Sequence, residues 1–262
     1  MTDPASNRVL FSIDGRIATL TINRPEKLNA LDPGMLEAMA GHLRGLDRST
    51  DARVLIVSAT GDRAFCVGAD IGVWSSLEPI EMWRDWVRTG SAVFDQLARL
   101  RIPTIAALNG YTFGGGLELA LACDLRIAAD TVQLSAPETK IATVPGWGGT
   151  YRLSELIGPA RAKQMIFTGA RITAETAATW GLVNEVVAGD HVPSRVREVA
   201  SEIAANAPVA VQLAKAAIDG ARGIGSGVTF EAMASALAAM TEDGQEGVRA
   251  FRDKRTPEFN DR

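Results

Sequence analysis

The stretch GYTFGGGLELALACD, Gly110 to Asp124, sets three consecutive glycines at the head of a helix-forming segment and then a carboxylate, Glu118, among leucines and alanines. Inside a helix each glycine costs about 1 kcal/mol against alanine, so three together mean that the bare backbone itself is needed. A helix start carries unpaired N–H groups and partial positive charge, and glycines let a ligand oxygen approach them. The segment therefore predicts an anion or oxyanion site with the Gly115 N–H as leading donor. The alternative use of the glycines is close packing of the helix against a neighbour. No Lys-Ser or Lys-Thr follows them and no GxGxxG pattern is present, which removes the phosphate-loop and dinucleotide readings. Glu118 lies one turn beyond Gly114 and Gly115, on the side of the exposed amides. On an apolar helix such an acid is costly unless partnered or functional. A second carboxylate, Glu138 in SAPETK, precedes the glycine-rich PGWGGT. Two acids near an oxyanion hole suit general acid and base work, because repulsion raises one pKa while the other group stays ionised.

Working outward, VLFSIDGRIATLTIN reads as a hairpin turned at Asp14-Gly15. Asp32-Pro33 starts a helix with Met35, Leu36, Met39, Leu43 and Leu46 on one face. Val54 to Val57 is a buried strand, GDRAFCVGAD a turn, and Glu78 to Leu100 one long helix. Pro103 to Leu108 is a strand, followed directly by the glycine-headed helix. Leu125 to Ala128 and Val132 to Leu134 are further strands. From Gly149 onward helices dominate: Thr150 to Leu156, Arg161 to Phe167, Ala174 to Trp180, Arg195 to Ala205 and Val209 to Ala221, with one strand at Val183 to Val187. The alanine-rich segments Val209 to Ala221 and Phe230 to Met240 suit either local packing or self-association.

The chain has 262 residues, 47% of them hydrophobic, enough for one large core or a core with an appendage. Lys and Arg total 27 against 31 Asp and Glu, so a net charge of −4 gives no general attraction to nucleic acid or anionic membrane. The longest uncharged run, Ile102 to Leu117, is too short and broken to span a bilayer. Two cysteines, Cys66 and Cys123, make no disulfide framework, and the opening MTDPASNRVL lacks a signal peptide's apolar segment, so a reducing cytoplasm is expected. With His42 and His191 as the only histidines, neither a zinc site nor a serine hydrolase triad is supported.

RPEKLNAL (Arg24 to Leu31), AFCVGADI (Ala64 to Ile71), NGYTFGGGLELALACDLRIAA (Asn109 to Ala129), PETK and PGWGGTYRL (Pro145 to Leu153) resemble successive signatures of the enoyl-CoA hydratase/isomerase family, the crotonases. FTGARITAETAATWGLVNEVV and FRDKRTPEF extend the likeness over nearly the whole chain. The resemblance implies an α/β spiral of ββα units over residues 1–200, and over 201–262 a helical region that trimerises and closes the site, as a homotrimer or homohexamer. It implies an acyl-CoA thioester substrate, no metal or redox cofactor, and no nucleic-acid or membrane partner. Ala69 and Gly115 would supply the N–H pair for the thioester oxygen, each donor worth about 3 to 4 kcal/mol in oxyanion holes generally. Glu118, chiefly as base, and Glu138, as proton donor to C2, would add water to a trans-2-enoyl thioester.

The resemblance also marks Lys27, Leu28, Ala30, Val67, Gly68, Asp70, Ile71, Gly114, Pro137, Trp147 and Gly148 as substrate-binding positions, with Asp70 chiefly fixing the turn after Ala69. Val67 departs from the small residue usual there, and Leu134-Ser135 stands where Phe-Gly is common. Trp74, Trp83, Trp86 and Trp147 fall in segments that shape the acyl pocket in relatives. Cys66 and Cys123 read as small apolar groups. The rival chemistries on the same scaffold are enoyl-CoA isomerisation, decarboxylation or another thioester reaction. An RNA-associated or scaffold protein is the rival from another class, opposed by the acidic balance.

Overall fold

The computed structural model describes residues 7–220 and 233–262, and its architecture follows from one unit repeated along the chain. The first repeat is the hairpin β1 (Val9–Asp14) and β2 (Ile17–Ile22). Pairing of Asp14 with Ile17 leaves Gly15 and Arg16 as the loop, and only Gly15 takes a positive φ, 59°. Asp14 itself is the last strand residue, so the turn sits one position later than the Asp-Gly pair suggests. Helix α1 (Pro33–Arg48) is capped by Asp32, whose carboxylate accepts the Met35 N–H at 3.0 Å, and it buries the five predicted apolar residues.

The second repeat runs through β3 (Val54–Ala59) and the short β4 (Ala64–Cys66) to α2 (Ile71–Trp74). The long helix expected from Glu78 to Leu100 is broken into α3 (Pro79–Glu81), a π-helical segment Met82–Val87, and α4 (Arg88–Ala98). The wider π turn buries Trp86 and leaves Trp83 60% exposed. In the third repeat β5 (Thr104–Leu108) is followed by β6 (Tyr111–Phe113), a strand not expected from the sequence, and only then by α5 (Gly115–Leu121). The fourth holds β7 (Leu125–Ala129), β8 (Gln133–Ser135), a 3₁₀ turn Glu138–Ile141, and the helices α6 (Gly149–Ile157) and α7 (Pro159–Thr168). Then come β9 (Ile172–Thr173), α8 (Ala174–Trp180), β10 (Glu185–Val187), α9 (Val192–Ala204), α10 (Pro208–Gly220), α11 (residues 233–240) and α12 (Glu242–Asp253). The start of the expected Phe230–Met240 segment lies outside the described residues.

Long strands make a six-stranded sheet in the order β1-β2-β3-β5-β7-β10, parallel apart from the hairpin; short strands make a second sheet, β4-β6-β8-β9. The first repeat gives both its strands to the larger sheet, each later one adds a strand to both sheets, and the chain winds as a spiral. Buried β3 and β5 read as continuous apolar runs, as parallel strands covered on both faces require. Position 200 falls inside α9, which packs on β2, β3, β5 and β7, so the core extends through Ala204, past the expected boundary. The later helices are tied back by ions: Arg53 donates to the carbonyls of Ala204 (3.0 Å) and Phe259 (2.7 Å), and Lys215 meets Asp124 at 2.7 Å. Ile218, Met240 and Phe251 on these helices stand more than three-quarters exposed. Among the described residues no helix is long and apolar enough to cross a membrane.

Asp32 combines the α1 cap with an ion pair to Arg8 at 2.6 Å. Asp32→Ala is expected to cost about 1 to 2 kcal/mol, a drop of about 2 to 8 °C in melting temperature by scanning calorimetry. Asp32→Asn, which can still cap, should lose less than half of that.

Candidate active site

The site forms where the backbone after β4 crosses the start of α5. Gly114 turns the chain out of β6 at φ 51°, ψ −126°, with its N–H held by the Ser135 carbonyl at 3.0 Å. Across from it Gly68 has φ 102°, and a Cβ there would stand 2.8 Å from the Gly115 nitrogen. A Cβ on Gly116 would overlap the Cys66 carbonyl, and one on Gly115 would sit 2.7 Å from the Trp147 ring. Protein atoms, rather than a ligand, therefore demand the last two glycines. Close packing and donor exposure turn out to be one arrangement, because the contact brings two N–H groups to the same wall.

The Gly115 N–H is an orphan of the first helical turn. The bridge between Leu31 and Ala69 uses the Gly68 carbonyl (2.8 Å from Leu31 N) and the Asp70 N–H (2.8 Å from Leu31 O). Alternate N–H groups of an extended chain point to opposite sides, so the Ala69 N–H is left out of that pairing. Ala69 and Gly115 both line a cavity of about 160 Å³, together with Val67, Gly68, Gly114 and both glutamates.

The two carboxylates differ in their support. Glu118 is 4% exposed, and its Oε1 accepts the N–H groups of Trp147 (2.7 Å) and Gly149 (2.8 Å). Burial pushes its pKa up, opposed by the Gly149 and Trp147 N–H groups and by the charge of Arg152. Glu138, at the head of the 3₁₀ turn, has its Oε2 buried without a hydrogen-bond partner. Burial raises its pKa to about 7, its own backbone N–H opposing and the Glu118 charge adding to the rise. Behind the pair the wall closes on Leu121, Ala136, Pro145 and Leu153, leaving a void of only about 10 Å³.

Arg152 is the functional residue that sequence reasoning missed. It is 9% exposed, donates to the Trp147 carbonyl at 3.0 Å, and pairs with Asp95 at 2.5 Å. It thus holds the turn whose N–H groups hold Glu118. The available signal was an arginine one helical turn after Gly148, on the α6 face that buries Leu153. Gly148 serves the same turn, with φ 103° and Arg152 Nη1 where a Cβ would be, and it does not line the cavity.

Of the other predicted positions, Ile71, Pro137 and Trp147 line the cavity, as do Trp74 and Trp86. Lys27, Leu28 and Ala30 do not. Lys27 is exposed, Leu28 half-buried at φ 51°, and Ala30 buried. Their loop nevertheless runs beside the Val67–Ala69 segment, since the Leu28 carbonyl accepts the Val67 N–H at 3.2 Å. Asp70 also stays off the cavity wall: it caps α2 through Gly72 N–H and binds Arg24 at 2.8 Å, which holds its carboxyl below the ordinary range. Both cysteines are buried, and burial lifts each thiol to about 12. Among the described residues no three His, Cys, Asp or Glu side chains gather as metal ligands would.

A profile of the enoyl-CoA hydratase/isomerase family matches residues 12–262. The chain belongs to this family. It is 39% identical over 253 residues to a short-chain-enoyl-CoA hydratase of Clostridium acetobutylicum, covering 95% of this chain and 96% of the relative. A crotonyl-CoA hydratase of Syntrophomonas wolfei is 36% identical over 257 residues, covering 97% and 98%. The crystal structure of an enoyl-CoA hydratase from Bacillus anthracis superposes with a TM-score of 0.94 at 36% identity, covering 97% of this chain and all of the other. The spiral described above is accordingly the crotonase fold.

Replacing Arg152 by Met should free the Trp147–Gly149 turn and remove the cation beside Glu118. For a base at Glu118, which would act only when ionised, a higher pKa would move the acid limb of the kcat/KM profile toward higher pH. A loss of about 10- to 100-fold in kcat/KM is expected from such misplacement, with Arg152→Lys recovering part of it; an unmoved acid limb would refute the assignment.

Proposed function

We propose that the protein is a 2-enoyl-CoA hydratase. The observation that carries the reading is the unlike pair of carboxylates on a wall that also presents the N–H groups of Ala69 and Gly115. Two coupled acids in a buried site share one proton. It rests on Glu138, whose Oε2 has no donor to support a charge, while the N–H groups on Glu118 support an anion. In the proposed step the thioester oxygen accepts the Ala69 and Gly115 N–H groups. A water held between the carboxylates loses a proton to Glu118 as its oxygen bonds to C3; the π electrons move toward the thioester oxygen, and Glu138 delivers its proton to C2. The product is the 3-hydroxyacyl thioester, its hydroxyl taken from the water and its C2 hydrogen from Glu138; transfer of the proton now on Glu118 back to Glu138 restores the resting pair, so that one water is consumed overall. The N–H pair is fixed before charge develops, so stabilising the enolate-like oxygen needs no reorganisation. No metal or redox group enters the step.

The exposed loop carrying Lys27 supports a path for the CoA phosphates, with Leu28 and Ala30 flanking the pantetheine side of the same path. We propose a homotrimer, or a hexamer of two trimers, joined through the exposed apolar residues of the C-terminal helices, and a cytoplasmic setting without nucleic-acid or membrane partners. Light scattering at three or six times the 27.8 kDa chain mass would agree with this assembly, and a monomer would refute it.

Loss of enoyl absorbance with trans-2-enoyl-CoA esters tests the reaction. Glu118→Gln and Glu138→Gln should each lower kcat by about 100- to 10,000-fold; turnover within tenfold of the parent would overturn the roles. Double-bond migration in place of hydration would make the chain an isomerase.

Glu138→Gln has a second consequence. The folded-state pKa of about 7 exceeds the ordinary 4.5, so folding favours the protonated acid and stability falls as pH climbs through that interval. Removing the acid should therefore stabilise the fold at pH 8 by up to about 3 kcal/mol, and by little at pH 4. Denaturant melts at the two pH values check this.

A further inference from the structure

Trp147 occupies a position where its ring cannot yield. It is 3% exposed, and its indole lies between α4 and α5. A Cβ at Gly90 would fall inside the pyrrole half of the indole, and one at Gly115 would lie 2.7 Å from Cζ3 and 2.8 Å from Cε3. Phe94 meets the ring edge-on at 5.2 Å, and Trp86 tilts against it at 5.3 Å. Its backbone is fixed as well, through the N–H to Glu118 and the carbonyl to Arg152. A side chain held on four sides has no alternative rotamer to adopt when a larger ligand enters.

The ring also stands where an acyl chain must go. The six-membered ring is seated under Gly115 and lines one cavity with Ala69, Glu118 and Glu138, so with a thioester oxygen on the Gly115 N–H the carbons beyond C3 would meet the indole. The mouth of the cavity is ringed by Ile71, Ile141 and Val144, each at least half exposed. We infer that Trp147, seated on Gly90 and backed by Phe94 and Trp86, is the specificity-determining floor of the acyl pocket and restricts the substrate to short, crotonyl-sized 2-enoyl thioesters. This rests on the thioester reading above. Neither Gly90 nor Phe94 touches substrate; they act by denying the indole room to move.

Size discrimination in an apolar pocket is worth about 10- to 200-fold for each methylene that does not fit. The test measures kcat/KM along crotonyl-, hexenoyl-, decenoyl- and hexadecenoyl-CoA for the parent, Trp147→Phe and Trp147→Ala. Calorimetric binding of saturated butyryl- and decanoyl-CoA supplies a readout that needs no turnover. The parent should favour the short member of each series by at least tenfold. Trp147→Ala should shift the long-to-short ratio at least tenfold toward long chains, with Trp147→Phe between. Equal or tighter binding of decanoyl-CoA by the parent, or an unchanged ratio in both variants, overturns the inference. If the parent hydrates no ester yet binds butyryl-CoA selectively, the hydratase reading fails and the size limit stands.

Discussion

The structure depends on a contact between two backbones. Cys66 to Gly68 and Gly114 to Gly116 approach more closely than any pair of side-chain-bearing residues could, and neither segment can retreat. One is held by the Leu31 bridge, and the other by the pairing of Gly114 N–H with the Ser135 carbonyl. Because the two segments end strands of neighbouring repeats, the winding of the spiral itself supplies the force that keeps them together. A pair of amide donors is thereby fixed without any side chain having to position them. Donors fixed in this way would serve the proposed thioester site without reorganisation, since the ordering entropy has already been spent on folding.

Against that wall the protein sets two acids made unlike by their surroundings. The same five-residue turn, Pro145 to Gly149, lends N–H groups to Glu118 and the Trp147 ring to the pocket floor. Arg152 governs both by holding the Trp147 carbonyl. The proposed acid–base pair and the proposed pocket floor therefore share one support, and a change to one would pass into the other. Among the described residues Glu138 Oε2 is buried without a partner, and the cost of that burial is smaller while the acid is neutral than when it ionises.

Much of this was legible in the sequence. The hairpin, α1 with its five inward residues, and the buried runs of β3 and β5 follow from period and turn chemistry, because each is long enough for the pattern to repeat. The strands β6 and β9 escaped because three and two residues carry no period; pairing, not propensity, makes them strands. The π segment escaped for a different reason: its extra residue per turn is fixed by what Trp86 packs against. That Glu118 lies near the glycine amides was readable from spacing, whereas the gathering of Glu118, Glu138, Ala69 and Gly115 around one cavity was readable only from the family motifs. Arg152 was not, since an arginine on a helix reads as surface until its buried partners are known. Nor could the sequence tell that Gly116 answers to the Cys66 carbonyl.

The clamp made by Arg53 has a bearing on how the protein comes apart. Its guanidinium grips the carbonyl of Phe259, 206 positions further along the chain, at the threshold of the central strand β3. The same guanidinium also holds the Ala204 carbonyl at the end of α9, so one cation joins three separate parts of the chain. Asp243 then gathers the Asn260 and Asp261 N–H groups at 2.6 and 2.8 Å, lacing the same segment to α12. The central strand and the Phe259–Asp261 segment are thereby held as one cooperative unit, so that loosening the latter should expose the start of β3 as well.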